Sequence, residues 1–373
     1  MIQRSASALT SLDTALAMLL DALAPVEPIE LAVADAIGCI AAPMPPLAQA
    51  LPARSIAMID GWALTSVDVA GASSYAPVPL TVPPVWVEAG DAVPEGCDCV
   101  LDVSLVERVG PMFQALGEAI PGAGVRRVGE DFAAGATIIA EGRRIGVSDE
   151  MIARKAGLHH VAVRRPRVRI IDVPASGGHA VTLGLIAAQL RASGAQIDRT
   201  VAAGRDTASV AKAVAGADGD LLITIGGTGA GHHDAAVAAL ASSARLMHGL
   251  ALQPGRTAAA GRIGAMPVIA IPGASDQALA VWWAFGIPVL DRLSGRAARS
   301  VIVKPLVRKI ASSVGMTDIV LVKDTEAGWL PLAIGDLPLN ALAQADAWLA
   351  VPSGSEGYAT ASLVGAYPLR ESL

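Results

Sequence analysis

Asp220–Ala235 reads DLLITIGGTGAGHHDA, and the interpretation of these sixteen positions decides the fold. Leu221 to Ile225 are five consecutive apolar or β-branched residues, which suits a strand covered on both faces. Gly226, Gly227, Gly229 and Gly231 then leave the backbone N–H groups of a turn sterically open. A helix beginning after the turn would point the positive end of its dipole back at those amides. Both features favour a phosphate or oxyanion. Glycine-rich turns also serve as plain connections, so this stretch alone leaves the two readings open.

Working outward, strand-like runs alternate with helical ones between Arg167 and Leu293. VRII at 168–171 precedes a helical pattern from Val181 to Ser193, a second helix is expected from Thr207 to Val214, and Pro267–Ile271 is another apolar run before a helical segment. Such alternation predicts an α/β unit with a parallel sheet and helices on both faces. Before it, Leu12, Leu16, Leu19, Leu20 and Leu23 recur at helical spacing and stop near Pro25. A stretch rich in Pro, Val and Gly follows, and a helix from Ser148 to Ala156 comes later. After Ser300, short strands such as Val301–Val303 and Ile319–Val322 alternate with Gly, Pro and Asp turns, as in a small β-barrel or sandwich. The expected division is therefore a helical N-terminal domain (1–43 plus 139–165), an inserted β-rich module (44–138), the α/β domain (166–297) and a C-terminal β-barrel (298–373).

Composition narrows the classes of function. Of 373 residues, 53% are hydrophobic, and the mean hydropathy is +0.51, values that raise the question of a membrane. Much of the excess is alanine and valine, and no run approaches the roughly 18 uninterrupted apolar residues of a bilayer span. A formal charge of −6 without a dense Lys/Arg block, and 3% aromatics, argue against nucleic acid as a partner. Cys39, Cys97 and Cys99 form neither a disulfide framework nor paired metal knuckles; they read as small buried hydrophobes in a reducing cytoplasm.

Ligands of open α/β sheets collect beyond the carboxyl ends of the strands. Three loops there suit anions: Ala175–Gly178, the Gly226–Gly231 turn, and Pro272-Gly273-Ala274-Ser275-Asp276. Ser275 and Asp276 are also candidate helix caps, and so is Asp206 in GRDTASV. Asp234, just past the glycine turn, is placed to help hold a divalent cation against phosphate charge. His232 and His233 read as polar loop groups rather than a zinc site. Asp60, in IDGW, is either a turn aspartate or a site acid, and Arg126-Arg127 is either an anion-facing pair or a solvated surface.

Taken in order, these motifs resemble the molybdopterin molybdotransferase family, which includes the gephyrin E domain. IAMIDGWAL (56–64), GDAVPEGCDCVL (90–101), RRVGEDFAAGATIIAEG (126–142), GGTGAGHHD (226–234), QPGR (253–256) and IPGASDQA (271–278) are each similar to a family signature. The resemblance implies an elongated homodimer whose subunit has a helical domain interrupted by a β module, a molybdopterin-binding α/β domain and a C-terminal β-barrel. It implies insertion of molybdate into adenylated molybdopterin with release of AMP, assisted by Mg²⁺ or a similar cation. By position, Asp60, Asp206 and Asp234 are the implied catalytic acids, the last two also holding the metal. Gly226, Gly227, Thr228, Gly231, Pro272, Gly273, Ser275 and Arg256 are the implied ligand-binding residues.

The departures carry information too. Ala89 replaces a family threonine, and Pro174-Ala175-Ser176-Gly177 replaces an acidic motif. Gly229 replaces a serine, Gln253 a lysine, Ala274 an asparagine and Leu321 an arginine. Arg256 is the nearest substitute for the missing lysine. A second expectation therefore stands beside the enzyme: a non-catalytic carrier that binds molybdopterin or the finished cofactor and passes it to a molybdoenzyme apoprotein. A third is a scaffold, if Trp282-Trp283 forms an exposed contact surface rather than core.

Overall fold

Leu221–Ile225 is buried at every position, and it forms the centre of a six-stranded sheet. In the computed structural model, which describes residues 9–174, 180–216, 218–229 and 234–369, this sheet comprises β1 (Arg167–Asp172), β2 (Gln196–Val201), β3 (Leu221–Ile225), β4 (Arg245–His248), β5 (Ala259–Ile263) and β6 (Met266–Ile271). Their spatial order is β2-β1-β3-β6-β5-β4. The first four strands in that order run parallel, and β5 and β4 are added antiparallel at one edge. The sheet is therefore mixed, because the Gly264-Ala265 turn folds β5 directly back on β6 instead of crossing over through a helix.

Helices α1 (Ala180–Ala192), α2 (Thr207–Ala215) and α3 (Ala236–Ala241) follow β1, β2 and β3. After β6 a continuous helical stretch runs through α4 (Ser275–Val281), a π-helical segment (Trp282–Gly286) and α5 (Ile287–Ser294). One core takes Leu183, Ile186 and Leu190 from α1 together with Val281, Trp282 and Phe285, all against Ile170, Ile223 and Ile269. A separate core packs Val210 and Val214 of α2 and Leu240 of α3 against Ile171, Leu222 and Val268. Alternate residues of each strand thus face opposite helix layers, as the pleat requires. Trp282 is wholly buried and Trp283 is 5% exposed, so the pair is core and not a contact surface.

By contact the chain separates into two compact units: 1–43, 139–151 and 158–373 form one, and 44–138 with 152–157 the other. The first also contains the N-terminal helix Leu12–Leu20, capped by Ser11, whose Oγ accepts from the Thr14 amide at 3.2 Å. The stretches expected to be helical also supply a small antiparallel sheet of Ile29–Ala32, His160–Arg164 and Ile40–Ala41. Beyond residue 300 the strands form a sheet that does not close into the expected barrel. Its order runs from Leu252–Gln253 through Thr317–Thr325, Ala347–Val351 and Leu363–Pro368 to Ile302–Pro305. The edge strands Leu252–Gln253 and Ile302–Pro305 do not pair with each other.

The second unit is β-rich. It has two three-stranded antiparallel sheets, one centred on Gly61–Leu64 and one on Met112–Ala115, around Leu64, Val69, Leu80, Cys99 and Leu101. Cys99 and Cys39 are buried, while Cys97 is half-buried. Burial pushes all three thiols up, Cys99 to about 12 with the neighbouring Asp98 carboxylate adding to the effect. At about pH 8 the thiolate fraction of Cys99 is then of order one in ten thousand. A thiol-reactive probe on the native protein is expected to label Cys97 slowly and Cys39 and Cys99 only after unfolding; fast stoichiometric labelling of three thiols would contradict this environment.

Candidate functional site at the strand ends

The parallel strands end level with one another. Asp172 of β1 pairs with Val201 of β2 and Ile225 of β3, and Ile225 pairs with Ile271 of β6. The ladder continues one residue further: Ala202 N donates to Asp172 O at 2.9 Å, Val173 N to Ile225 O at 3.0 Å and Gly226 N to Ile271 O at 2.9 Å. The loops carrying Asp206, Gly226–Gly229 with Asp234, and Pro272–Ser275 therefore leave the sheet along a single edge. Chain order reverses between β1 and β3, which makes this the crevice that α/β proteins use for ligands.

The glycine turn is shaped by close approach. Gly226 and Gly227 have φ of +91° and +68°, in the left-handed region that side chains disfavour. A Cβ on Gly227 would lie 3.2 Å from Ala236 Cβ and 3.3 Å from Val173 Cγ1. Because the Gly226 amide completes the ladder to β6, it is not a donor to a ligand. The amides of Gly227, Thr228 and Gly229 donate to no group among the described residues. Gly227 O accepts from Ala236 N at 3.1 Å, which ties the turn to the start of α3. Gly231, His232 and His233 lie outside the described residues, as does the Ala175–Gly178 loop.

Several side chains that sequence reasoning overlooked hold these loops. His248 on β4 donates from Nε2 to Thr228 O at 3.1 Å, which fixes a proton on that nitrogen. Thr228 is buried, and its Oγ1 lies 3.4 Å from Thr257 Oγ1, bringing the segment of the exposed Arg256 beside the turn. Buried Thr182 on α1 donates to Gly273 O at 2.7 Å. Ala274, not Ser275 or Asp276, is the cap residue of α4, and no side chain caps that end. The capping role weighed for Ser275 and Asp276 is therefore not realised, because the chain enters the helix one residue earlier.

Asp206 does cap α2. Its Oδ1 accepts from Ser209 N at 2.9 Å and its Oδ2 from Ser209 Oγ at 2.7 Å. The Ser209 hydroxyl, then its amide, holds the carboxyl below its ordinary 3.8. A lowered folded pKa contributes stability that is present above the ordinary value and lost as pH falls through the folded one. The stability difference between the native chain and Asp206→Ala is accordingly expected to shrink on acidification from about pH 5 to about pH 2, as followed by urea unfolding; a gap that widens would overturn the assignment.

Asp234 is half-buried, and its Oδ2 sits over Gly229, where a Cβ would come within 2.6 Å of it. Glycine at 229 is thus what makes room for this carboxylate. At the same edge Asp172 pairs with Arg199 at 2.9 Å, and half-buried Arg205 precedes Asp206. Carboxylates and guanidinium groups are thus interleaved on the elements that end at this edge. No cluster of three or more His, Cys, Asp or Glu that could hold a metal occurs among the described residues. Mg²⁺ commonly takes only one or two carboxylates and completes its shell with substrate phosphate and water, so Asp206 and Asp234 are the groups of suitable chemistry on these loops.

Asp60 and Arg126-Arg127 belong to the other compact unit. Exposed Asp60 accepts from Ala89 N at 2.7 Å, so the amide at 89 holds it without a threonine hydroxyl. Arg126 pairs with Asp131 at 3.5 Å, and Arg127 Nη2 donates to Pro121 O at 3.0 Å, which accounts for both as a solvated, internally paired turn. Leu321, set against an arginine by the resemblance, is wholly buried in the apolar core.

Fold and site together define an α/β protein whose glycine turn and acidic loops lie at the C-terminal ends of its parallel strands. The sequence matches a family model described as the MoeA N-terminal region (domain I and II) over residues 10–157, and one described as a probable molybdopterin binding domain over residues 180–292. Molybdopterin molybdenumtransferase 1 of Mycobacterium tuberculosis is 25% identical over 404 residues, covering 92% of this chain and 95% of that protein. Molybdopterin molybdenumtransferase 2 of the same organism is 28% identical over 284 residues, covering 66% and 70%. The crystal structure of a molybdopterin biosynthesis MoeA protein from Pyrococcus horikoshii OT3 shares the fold, with a TM-score of 0.71 at 20% identity over 96% of this chain and 100% of that one. The chain belongs to the MoeA family.

Proposed function

We propose that this protein is a molybdopterin molybdotransferase, inserting molybdate into adenylated molybdopterin with release of AMP. The observation that carries the reading is the level edge of β2, β1, β3 and β6, which gathers Asp206, Asp234, the glycine turn and the Pro272-Gly273 loop on one side of the sheet. In this reading the Gly227–Gly229 amides face the pterin phosphate, and Thr228 and Gly273 keep their loops in place through His248 and Thr182. Arg256 supplies the positive charge that Gln253 lacks. Asp206 and Asp234 hold Mg²⁺, which when bound neutralises phosphate charge on the adenylated substrate. The same reading makes Asp60 a further acid of the site and the active form a homodimer in the cytoplasm, with each subunit divided into the four regions drawn from the sequence.

Supplying adenylated molybdopterin, molybdate and Mg²⁺ should give AMP release that depends on molybdate. Release no higher than background, under conditions in which a related enzyme turns over, would overturn the enzyme. The losses at Gly229, Gln253 and Ala274 favour one alternative, a carrier of molybdopterin or of the finished cofactor, because amide-based binding survives them. Tight binding by calorimetry without turnover identifies the carrier, and no binding eliminates both.

A further inference from the structure

A groove of about 550 Å³ runs between α1 and β2, the strand at one margin of the six-stranded sheet. Gly184, Ala187 and Arg191 of α1 form one wall, and Ile170 of β1 with Ile197 of β2 forms the floor. A Cβ added at Gly184 would meet nothing within 4 Å, so the groove is open along the helix. Between Ala180 and Arg191, which both line it, the helix rises about 16 Å. That length suits a small organic molecule lying along α1.

The two ends of the groove differ in charge. Because α1 links two parallel strands, it runs back from the strand ends, and Arg191 in its last turn lies where β1 and β2 begin. Arg165 is at the same end: Gln196 N, at the start of β2, donates to Pro166 O at 2.9 Å, and Gly194 N donates to Arg191 O at 2.9 Å. Neither guanidinium group makes a hydrogen bond or an ion pair to any group among the described residues. Arg165 is half-buried and keeps its Nε shielded from solvent without an acceptor, which donors in that position rarely do. Nor is Arg191 needed to close α1. The carbonyls of Gln189, Leu190, Arg191 and Ala192 accept from Ser193 N, Ala195 N, Gly194 N and Arg144 Nη2. The remaining arginine of the lining, Arg199, is committed to Asp172 at 2.9 Å, and no Asp or Glu lines the groove among the described residues.

We infer that this groove binds a phosphate monoester with an apolar body. The phosphate sits between Arg165 and Arg191, and the body lies over Ile170 and Ile197 along Gly184 and Ala187. Two free guanidinium groups match the dianion of a monoester, whereas a single carboxylate is satisfied by one of them in a bidentate pair. The phosphate end is at the opposite end of the sheet from the glycine turn and does not depend on the reaction proposed there.

n-Hexyl phosphate is a suitable probe, and calorimetry on the full chain is expected to give a Kd below about 200 µM. Arg165→Gln and Arg191→Ala should each weaken binding about tenfold; Arg191 is exposed, so its variant gives a reading even if Arg165→Gln fails to fold. Hexan-1-ol, which has the body without the charge, should bind at least about tenfold less tightly. Gly184→Leu, which fills the groove from the helix side, should weaken hexyl phosphate about tenfold with the unfolding midpoint retained. Arg256→Ala, at the strand-end site, should leave the affinity unchanged. Absence of binding up to about 5 mM, unchanged affinity in Arg191→Ala or in folded Gly184→Leu, or equal affinity for hexan-1-ol would each overturn the assignment. Loss of binding in Arg256→Ala would overturn it too, by placing the phosphate at the strand ends.

Discussion

Asp234→Ala is expected to lower molybdate-dependent AMP release by about a hundredfold or more, the usual cost of removing a group that stabilises transition-state charge. Stability should change by no more than about 1 kcal/mol, because the side chain is half-buried in a polar loop rather than in the core. The geometry around it supplies a second arm. Gly229→Ser restores the family residue, yet its Cβ would stand 2.6 Å from Asp234 Oδ2 and must displace the carboxylate. It should therefore lower turnover in the same direction as Asp234→Ala, and combining the two should cost little beyond the larger single effect. Unchanged kcat/KM in Asp234→Ala, with the fold intact by circular dichroism, would remove this residue from the chemistry.

The residues differ in how far the sequence announced their positions. β3 was legible because an all-apolar pentad followed by glycines has few alternatives, and Asp206 was legible as a cap because it immediately precedes a helical run. The open C-terminal sheet was not, since strand alternation fixes which residues face the core but not whether the two edge strands meet. β5 was missed because AAGRI is short and alanine-rich, and the antiparallel turn at Gly264-Ala265 looks no different from a connection to a helix. Among site residues, those that hold the loops were silent. Thr182, His248 and Thr257 act on carbonyls or hydroxyls distant in sequence, and no local spacing marks such a contact. The resemblance points to Asp234, and the structure adds that its carboxylate lies where a Cβ at position 229 would stand.

Gly184→Ala and Gly286→Ala make the same chemical change inside helical segments and are expected to move stability in opposite directions. Alanine gains about 0.5 to 1 kcal/mol over glycine in a helix interior, mainly by reducing the freedom of the unfolded chain. At Gly184, in the middle of α1, an added Cβ meets nothing within 4 Å, so that gain should appear in full. At Gly286 the same Cβ would come within 2.1 Å of Trp282 Cε3 and 2.6 Å of Cζ3. Trp282 is wholly buried among Leu279, Phe285 and the sheet residues and cannot swing aside without disturbing the core shared by the sheet and the C-terminal strands. Overpacking of this kind costs about 1 to 3 kcal/mol and occasionally more, which outweighs the helical gain. The expected result is a lower unfolding midpoint for Gly286→Ala, with altered near-ultraviolet circular dichroism from the tryptophan environment. Gly184→Ala should match or exceed the native chain. A midpoint for Gly286→Ala equal to or above that of the native protein would show that the tight fit of Trp282 against the π-helical turn does not hold this core together.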